Sequence, residues 1–314
     1  MNENSFEMER AAAWADIKNS HRTQSVLKAQ VIGIEIFEAG EVKEECLKLN
    51  YRGIYGFLPK SFIDNYEFKG LQNFVGKTFD FVVSYVDLDN QTFAANRIKA
   101  LEISAKRFWN RAKEGDVYPA FVRGVDRFNV YLLVNGVPTK MFRNEFSYEF
   151  HEDLREVVFI GETIDVKLLE IVKPQALTED TNKPTEELTE EIEAENEAEN
   201  KKRIEGYISV SSRALETDPM IYLNEYKEKS TYLGYITKIS IDTGSLFVKL
   251  EPRGIQTRTG IPPSTNLNRL KVGDMVNFKI QEIIAHERRV KGIIIDPRQN
   301  SRRQENSRGS SYVR

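Results

Sequence analysis

Gly70-Leu71-Gln72-Asn73-Phe74-Val75-Gly76-Lys77-Thr78 invites a chemical reading first, because two glycines followed by Lys-Thr end a phosphate-cradling loop. The spacing fails: five residues separate the glycines where the motif needs four. Gly76-Lys77-Thr78 also runs into alternating apolar residues, which form a strand, whereas a phosphate loop must open a helix. Metal chemistry has little to work with. His21, His151 and His286 are far apart, and Cys46 is the single cysteine, so no zinc-ligand spacing exists. Asp87, Asp89, Asp126 and Asp242 sit among turn residues. No Gly-x-Ser-x-Gly elbow or Cys/His pair occurs. The expectation is a protein that is not an enzyme and needs no cofactor, metal or small-molecule substrate.

The elements are more informative. Three segments begin with glycine and then alternate: Gly76-Lys77-Thr78-Phe79-Asp80-Phe81, Gly161-Glu162-Thr163-Ile164-Asp165-Val166 and Gly273-Asp274-Met275-Val276-Asn277-Phe278. Period two with β-branched and aromatic residues predicts half-buried strands. The glycines are 85 and 112 positions apart, and the second interval exceeds the first by the 27 residues of an acidic insert, 174–200. One supersecondary unit therefore occurs three times, the second copy interrupted. Each unit opens with another alternating strand, at 29–34, 120–125 and 234–239, and closes with one at 92–97, 206–211 or 290–295. Many short strands with Gly, Asn and Asp turns predict an all-β chain of small barrels.

The resulting organisation is an N-terminal helix (1–21), a first repeat (22–100), a linker helix (101–113), a second repeat (114–215), a linker (216–230), a third repeat (231–297) and a basic tail (298–314). In the second repeat the period turns Val130, Leu132 and Val134 to the core and Tyr131 and Leu133 outward. The insert carries one lysine against ten acidic residues, hence −9, leaving +6 for the rest of a chain of net charge −3. Its Glu-rich composition predicts disorder, as does that of the tail, with five arginines against Glu305.

With the repeats in place, the motifs resemble those of the S-one RNA-binding domain family. Phe128-Asn129-Val130-Tyr131-Leu132 is similar to that family's Phe-Gly-Ala-Phe-Val segment, Gly136 to Phe146 to the Gly-Leu-Val-His-Ile-Ser-Glu-Leu that follows it, and Ile208 to Leu215 to its closing Ile-Ser-Leu-Ser-x-Lys-Ala-Leu. In the first repeat Tyr51 to Ser61 resembles the Gly-Phe-Leu-Pro-x-Ser form. In the third, Leu246 to Leu250 resembles the Phe-Val-x-Leu core. The resemblance covers about residues 22–297 and implies tandem five-stranded barrels of the oligonucleotide-binding (OB) fold. Asn129 stands where the family has a turn glycine, and Phe142 where it has a groove histidine. Cys46 and Pro59 stand at the first repeat's two platform positions, and the third repeat shows no counterpart of the second one.

The resemblance further implies single-stranded RNA held on one barrel face, with rings stacking on bases and cations meeting phosphates. In the second repeat the implied residues are Phe128, Tyr131 and Phe142, rimmed by Arg127, Lys140, Arg143 and Arg213. In the third they are Phe247, Lys249, Arg253 and Arg258, and in the first Arg52, Tyr55, Lys60 and Arg97. In the ribosomal protein that names the family the leading repeats serve docking, which implies the small ribosomal subunit as a partner and a docking role for the degenerate first repeat. A docking scaffold with incidental RNA binding, or a single-stranded DNA binder, remains open. One cysteine fits a reducing compartment. The polar, acidic start is unlike a signal peptide, and no apolar run reaches the roughly 20 residues of a membrane span; the expected location is cytoplasmic.

Overall fold

The computed structural model describes residues 3–39, 42–174, 206–241, 243–261 and 270–295. The expected disordered insert and tail lie outside the described residues, apart from Pro174. Among the described residues no helix is long and apolar enough to cross a membrane.

Among the described residues fifteen strands form three five-stranded sheets. The first contains β1 (Leu27–Ala39), β2 (Val42–Tyr51), β3 (Ile54–Pro59), β4 (Thr78–Asp87) and β5 (Thr92–Asn96), ordered β1-β2-β3-β5-β4 and closed into a barrel by the parallel β3–β5 ladder. The second contains β6 (Val117–Val125), β7 (Asn129–Val134), β8 (Val137–Phe142), β9 (Thr163–Val172) and β10 (Tyr207–Ser211). The third contains β11 (Thr231–Ser240), β12 (Ser245–Leu250), β13 (Ile255–Gly260), β14 (Met275–Ile284) and β15 (Arg289–Ile295). Both keep the cyclic order of the first. Threonine side chains span the remaining edge: Thr139 Oγ1 donates to the Ile208 carbonyl at 2.7 Å, Thr257 Oγ1 to that of Val290 at 2.5 Å, and Thr259 Oγ1 to that of Gly292 at 2.8 Å.

The repeat detected in sequence is a repeat of backbone conformation. Gly76, Gly161 and Gly273 have φ of +85°, +87° and +93°, which a side chain would strain. Their N–H groups donate to the carbonyls of Val31, Val122 and Ile236 at 2.8, 2.9 and 2.7 Å. Each opening strand then bulges just past that contact, between Val31/Gly33, Val122/Gly124 and Ile236/Lys238. Each fourth strand bulges as well. Bulges add the twist that a strand needs to wrap a small barrel. Gly76-Lys77-Thr78 leads into β4, not into a helix.

The chain forms two compact units, Met1–Phe146 with Asp153–Leu215, and Ser147–Glu152 with Glu216–Arg314. The first unit holds two barrels. In its first barrel Leu47, Leu49, Leu58, Phe79, Phe81 and Phe93 are buried together. Helix α1 (Glu3–Thr23) joins that core through Ala13 and Ile17, and its buried Ser20 accepts a hydrogen bond from Val83 N at 3.1 Å. The connector α2 (Arg97–Arg111) begins four residues before the expected 101, because Asn96 caps it by accepting from Lys99 N at 3.0 Å. Its Phe108 belongs to the second barrel's core, with Val122, Val130, Leu132, Val134 and Met141.

The two barrels of this unit share an interface. Phe121 of β6 meets Phe74 and Phe79 of the first barrel, with centroids 6.1 and 5.7 Å apart. Leu133, expected to face outward, is buried: it is the register partner of Phe121 and so shares the covered face. In the second unit the third barrel's core contains Val248, Leu250, Phe278 and Ile280, joined by Tyr226 after the 3-10 turn Pro219–Glu225, which Asp218 caps. There the expected linker 216–230 packs as part of the barrel.

Candidate nucleic-acid interface

The β6–β7 turn presents Phe128, beside Phe142 at the end of β8. Asp126 accepts from the backbone N of Phe128 and of Asn129, both at 2.7 Å, from Asn129 Nδ2, and from Tyr131 Oη at 2.9 Å. Partial burial pushes the Asp126 carboxyl up, but these donors outweigh it and hold the group below its ordinary range. An ionised Asp126 thus fixes the turn. Asn129, in place of the family's glycine, contributes side-chain donors that glycine lacks.

Phe128 is 42% exposed and Phe142, the register partner of Asn129, 46%. The Arg143 and Arg127 guanidiniums lie 5.0 and 5.4 Å from the Phe128 centroid. Cation–π contacts at such exposure contribute about 0.5–1 kcal/mol each, so they orient the arginines without locking them. Lys140 is exposed opposite Tyr131 on β8. Tyr131 itself is half-buried. Its hydroxyl is held by Asp126, which pushes the phenol's pKa up, and its ring lies 6.1 Å from that of Tyr66 in the first barrel. Gly124 makes this approach possible, since a Cβ there would stand 2.0 Å from Tyr66 Oη.

The register places corresponding positions of the three barrels. Opposite the bulge of each opening strand stands Lys48, Tyr131 or Phe247. Their neighbours on either side are Gly33 and Phe57, Gly124 and Lys140, and Lys238 and Arg258. The third barrel therefore carries a ring between two cations. Lys238 is absent from the residues that the sequence suggests: the bulge skips Thr237, and strict alternation does not show that shift. Arg258 also donates to Ser245 Oγ, from Nε at 3.0 Å. The first barrel has a lysine at the ring position, paired to Glu35 at 2.6 Å. Cys46, expected at a platform position, aligns with Asn129 rather than Tyr131 and is buried in the wall. Pro59 aligns with Phe142, and Gly260 holds the third barrel's corresponding position.

Several expected phosphate contacts are otherwise engaged. Arg97 is 4% exposed and not at a phosphate-binding surface. It pairs with Asp64 at 3.8 Å, donates to the Ile63 carbonyl at 3.0 Å, and lies over Phe79 and Phe121 between the two barrels. Burial brings its pKa down to about 10, so it stays charged at neutral pH. Arg123 completes the buried cluster, 3.2 Å from Asp64. Arg213 pairs with Glu145 at 2.8 Å, tying the end of β10 to the short α3 (Arg143–Phe146). Arg52 pairs with Asp16 of α1 at 3.1 Å, Arg253 with Glu225 at 2.8 Å, and Lys249 with Glu149 at 3.2 Å. Tyr55 is exposed, with Lys48 4.9 Å over its ring, and Lys60 begins a 3-10 turn after β3. Among the described residues no His, Cys, Asp or Glu group could hold a metal ion.

No protein-family model matches the chain. Among curated proteins it is 26% identical over 129 residues to the small ribosomal subunit protein bS1 of Streptococcus pneumoniae, covering 40% of this chain and 32% of that protein. It is 29% identical over 125 residues to the bS1 protein of Staphylococcus saprophyticus, covering 38% and 32%. It is also 25% identical over 299 residues to a 4-hydroxy-3-methylbut-2-enyl diphosphate reductase of Clostridium acetobutylicum, covering 90% of this chain and 40% of that protein. The chain thus spans 40% or less of the length of these curated relatives. A solved multidomain protein with nucleic acid binding domains, from Streptococcus pneumoniae, aligns over 91% of this chain and 81% of that one at 12% identity; its TM-score of 0.19 supports no argument. Three five-stranded barrels with one strand order, together with sequence similarity to several bS1 proteins, show that this chain resembles the S-one RNA-binding domain family.

Proposed function

We propose that this protein binds single-stranded RNA, without catalysis, on the β7–β8 face of the second barrel and the β12–β13 face of the third. The observation that carries this reading is Phe128 and Phe142, exposed beside Arg127, Lys140 and Arg143 on a turn held by Asp126. A large ring in water gains nothing by exposure, and cations around it suit a ligand that is both flat and anionic. The bS1 relatives support an RNA ligand and a link to the ribosome.

A second reading applies to the first barrel alone, as a docking module. Its ring position is Lys48, paired to Glu35. Beside the position aligned with Phe142 it has an apolar cavity of about 370 Å³, lined by Cys46, Phe57, Pro59, Tyr85 and Phe93. Such a surface suits protein more than phosphate.

The test is fluorescence anisotropy with a short unstructured RNA. Phe128→Ala and Phe142→Ala are each expected to cost about 1–3 kcal/mol of binding, with little dependence on base sequence. Lys48→Ala, at the first barrel's position aligned with Tyr131, is expected to leave affinity within twofold. Folded Phe128→Ala and Phe142→Ala proteins that bind like the parent would show that this platform is not the site.

A further inference from the structure

The third barrel's platform ring is not open to solvent on its face. Within the second compact unit, Phe150 of the segment Ser147–Glu152 stacks on Phe247, with ring centroids 5.8 Å apart and planes 13° from parallel. Lys238 Nζ lies 4.3 Å from the Phe150 centroid and 5.9 Å from that of Phe247. The adjacent residue, Glu149, places a carboxylate oxygen 3.2 Å from Lys249 Nζ. The segment is anchored by Glu216, which accepts from Ser147 Oγ at 3.1 Å and from Tyr148 N at 3.0 Å.

A nucleotide on a stacking platform makes two contacts, a flat ring on the aromatic side chain and a negative charge on a flanking cation. Phe150 and Glu149 make both, from neighbouring positions. We propose that Glu149-Phe150 is a built-in nucleotide mimic that occupies the third barrel's RNA site and must leave before RNA can bind there. This deepens the RNA-binding reading and rests on it.

The physical chemistry suits displacement. Phe150 and Phe247 are half-buried and stand outside the barrel core, Glu149 is exposed, and Lys249 is partly exposed. A stacked aromatic pair and an exposed ion pair are individually weak. RNA offers the same two contacts and adds phosphates for Lys238 and Arg258. The mimic therefore lowers the barrel's apparent affinity by the fraction of time it is seated, and removing it restores that factor. It also discriminates, since a ligand with no stackable ring or no charge cannot replace both contacts.

The experiment uses the full chain and a short unstructured RNA. Anisotropy gives affinities for the parent, Phe150→Ala, Glu149→Gln and the Phe150→Ala/Phe247→Ala pair. Hydrogen exchange of residues 147–152 in the parent, with and without RNA, needs no substitution and so is immune to misfolding. The proposal expects Phe150→Ala to bind roughly 3- to 30-fold tighter, Glu149→Gln to show a smaller gain, the gain to vanish when Phe247 is also removed, and RNA to speed exchange in 147–152. If the parent binds RNA but Phe150→Ala binds equally or more weakly, or exchange slows, Phe150 is indifferent or part of the platform and the mimic is overturned while RNA binding stands. If neither parent nor Phe150→Ala binds, the RNA-binding reading falls and the mimic with it.

Discussion

Asp126 shows how much a single turn residue decides. It holds both the turn that presents Phe128 and the hydroxyl of Tyr131. Because its pKa in the folded state lies below the ordinary 3.8, its contribution to stability is complete above that value and is lost as pH falls below it. Asp126→Asn is expected to cost about 1–2 kcal/mol at neutral pH, the scale of hydrogen bonds to a charged group. The gap between parent and variant should shrink below about pH 4, as carboxyl protonation removes the charge in the parent too. Denaturant melts at several pH values measure this. A gap that stays constant down to pH 2 would mean the charge is not what holds the turn.

At the scale of elements, alternation, glycines and spacing made the barrels legible. The strands at 76–83, 161–168 and 273–280 match β4, β9 and β14 in place and kind, since each opens with buried and outward residues in alternation. What stayed hidden arises where elements meet. Period two cannot say that Leu133 is covered by a neighbouring barrel, that Arg97 lies buried beside Asp64, or that a bulge brings Lys238 opposite Phe247. Motif matching puts Cys46 at a platform position for a related reason: without register it slips by two residues from Lys48. The Asp64–Arg97–Arg123 cluster gives a test of the interface between the first two barrels. Asp64→Ala would leave two arginines buried without their carboxylate, at a cost of about 3–5 kcal/mol. Differential scanning calorimetry should show the first unit's transition fall by several degrees. A shift confined to about 1 °C would mean that water, not Asp64, balances those charges.

For the whole molecule, charge is segregated: the 174–200 stretch carries −9 and the remainder +6. A stretch of that charge is expected to compete with RNA for cationic faces, at a strength that salt screens. Deleting residues 176–200 is expected to tighten RNA binding at low salt and to matter less as salt rises. Equal affinities for the parent and deleted proteins at low salt would show that the stretch does not reach the barrels' faces. The 314-residue chain is expected to hold single-stranded RNA by stacking and phosphate contacts. The most direct measurement is a fluorescence-anisotropy titration of the full chain with matched single-stranded RNA, single-stranded DNA and duplex RNA, repeated across a salt series. Single-stranded RNA should bind tightest and duplex weakest, since paired bases cannot reach Phe142 or Phe128. The log–log salt slope for the single strand should be near −0.7 per phosphate contacted. Tighter binding to duplex, or no binding to any of the three, would contradict the account.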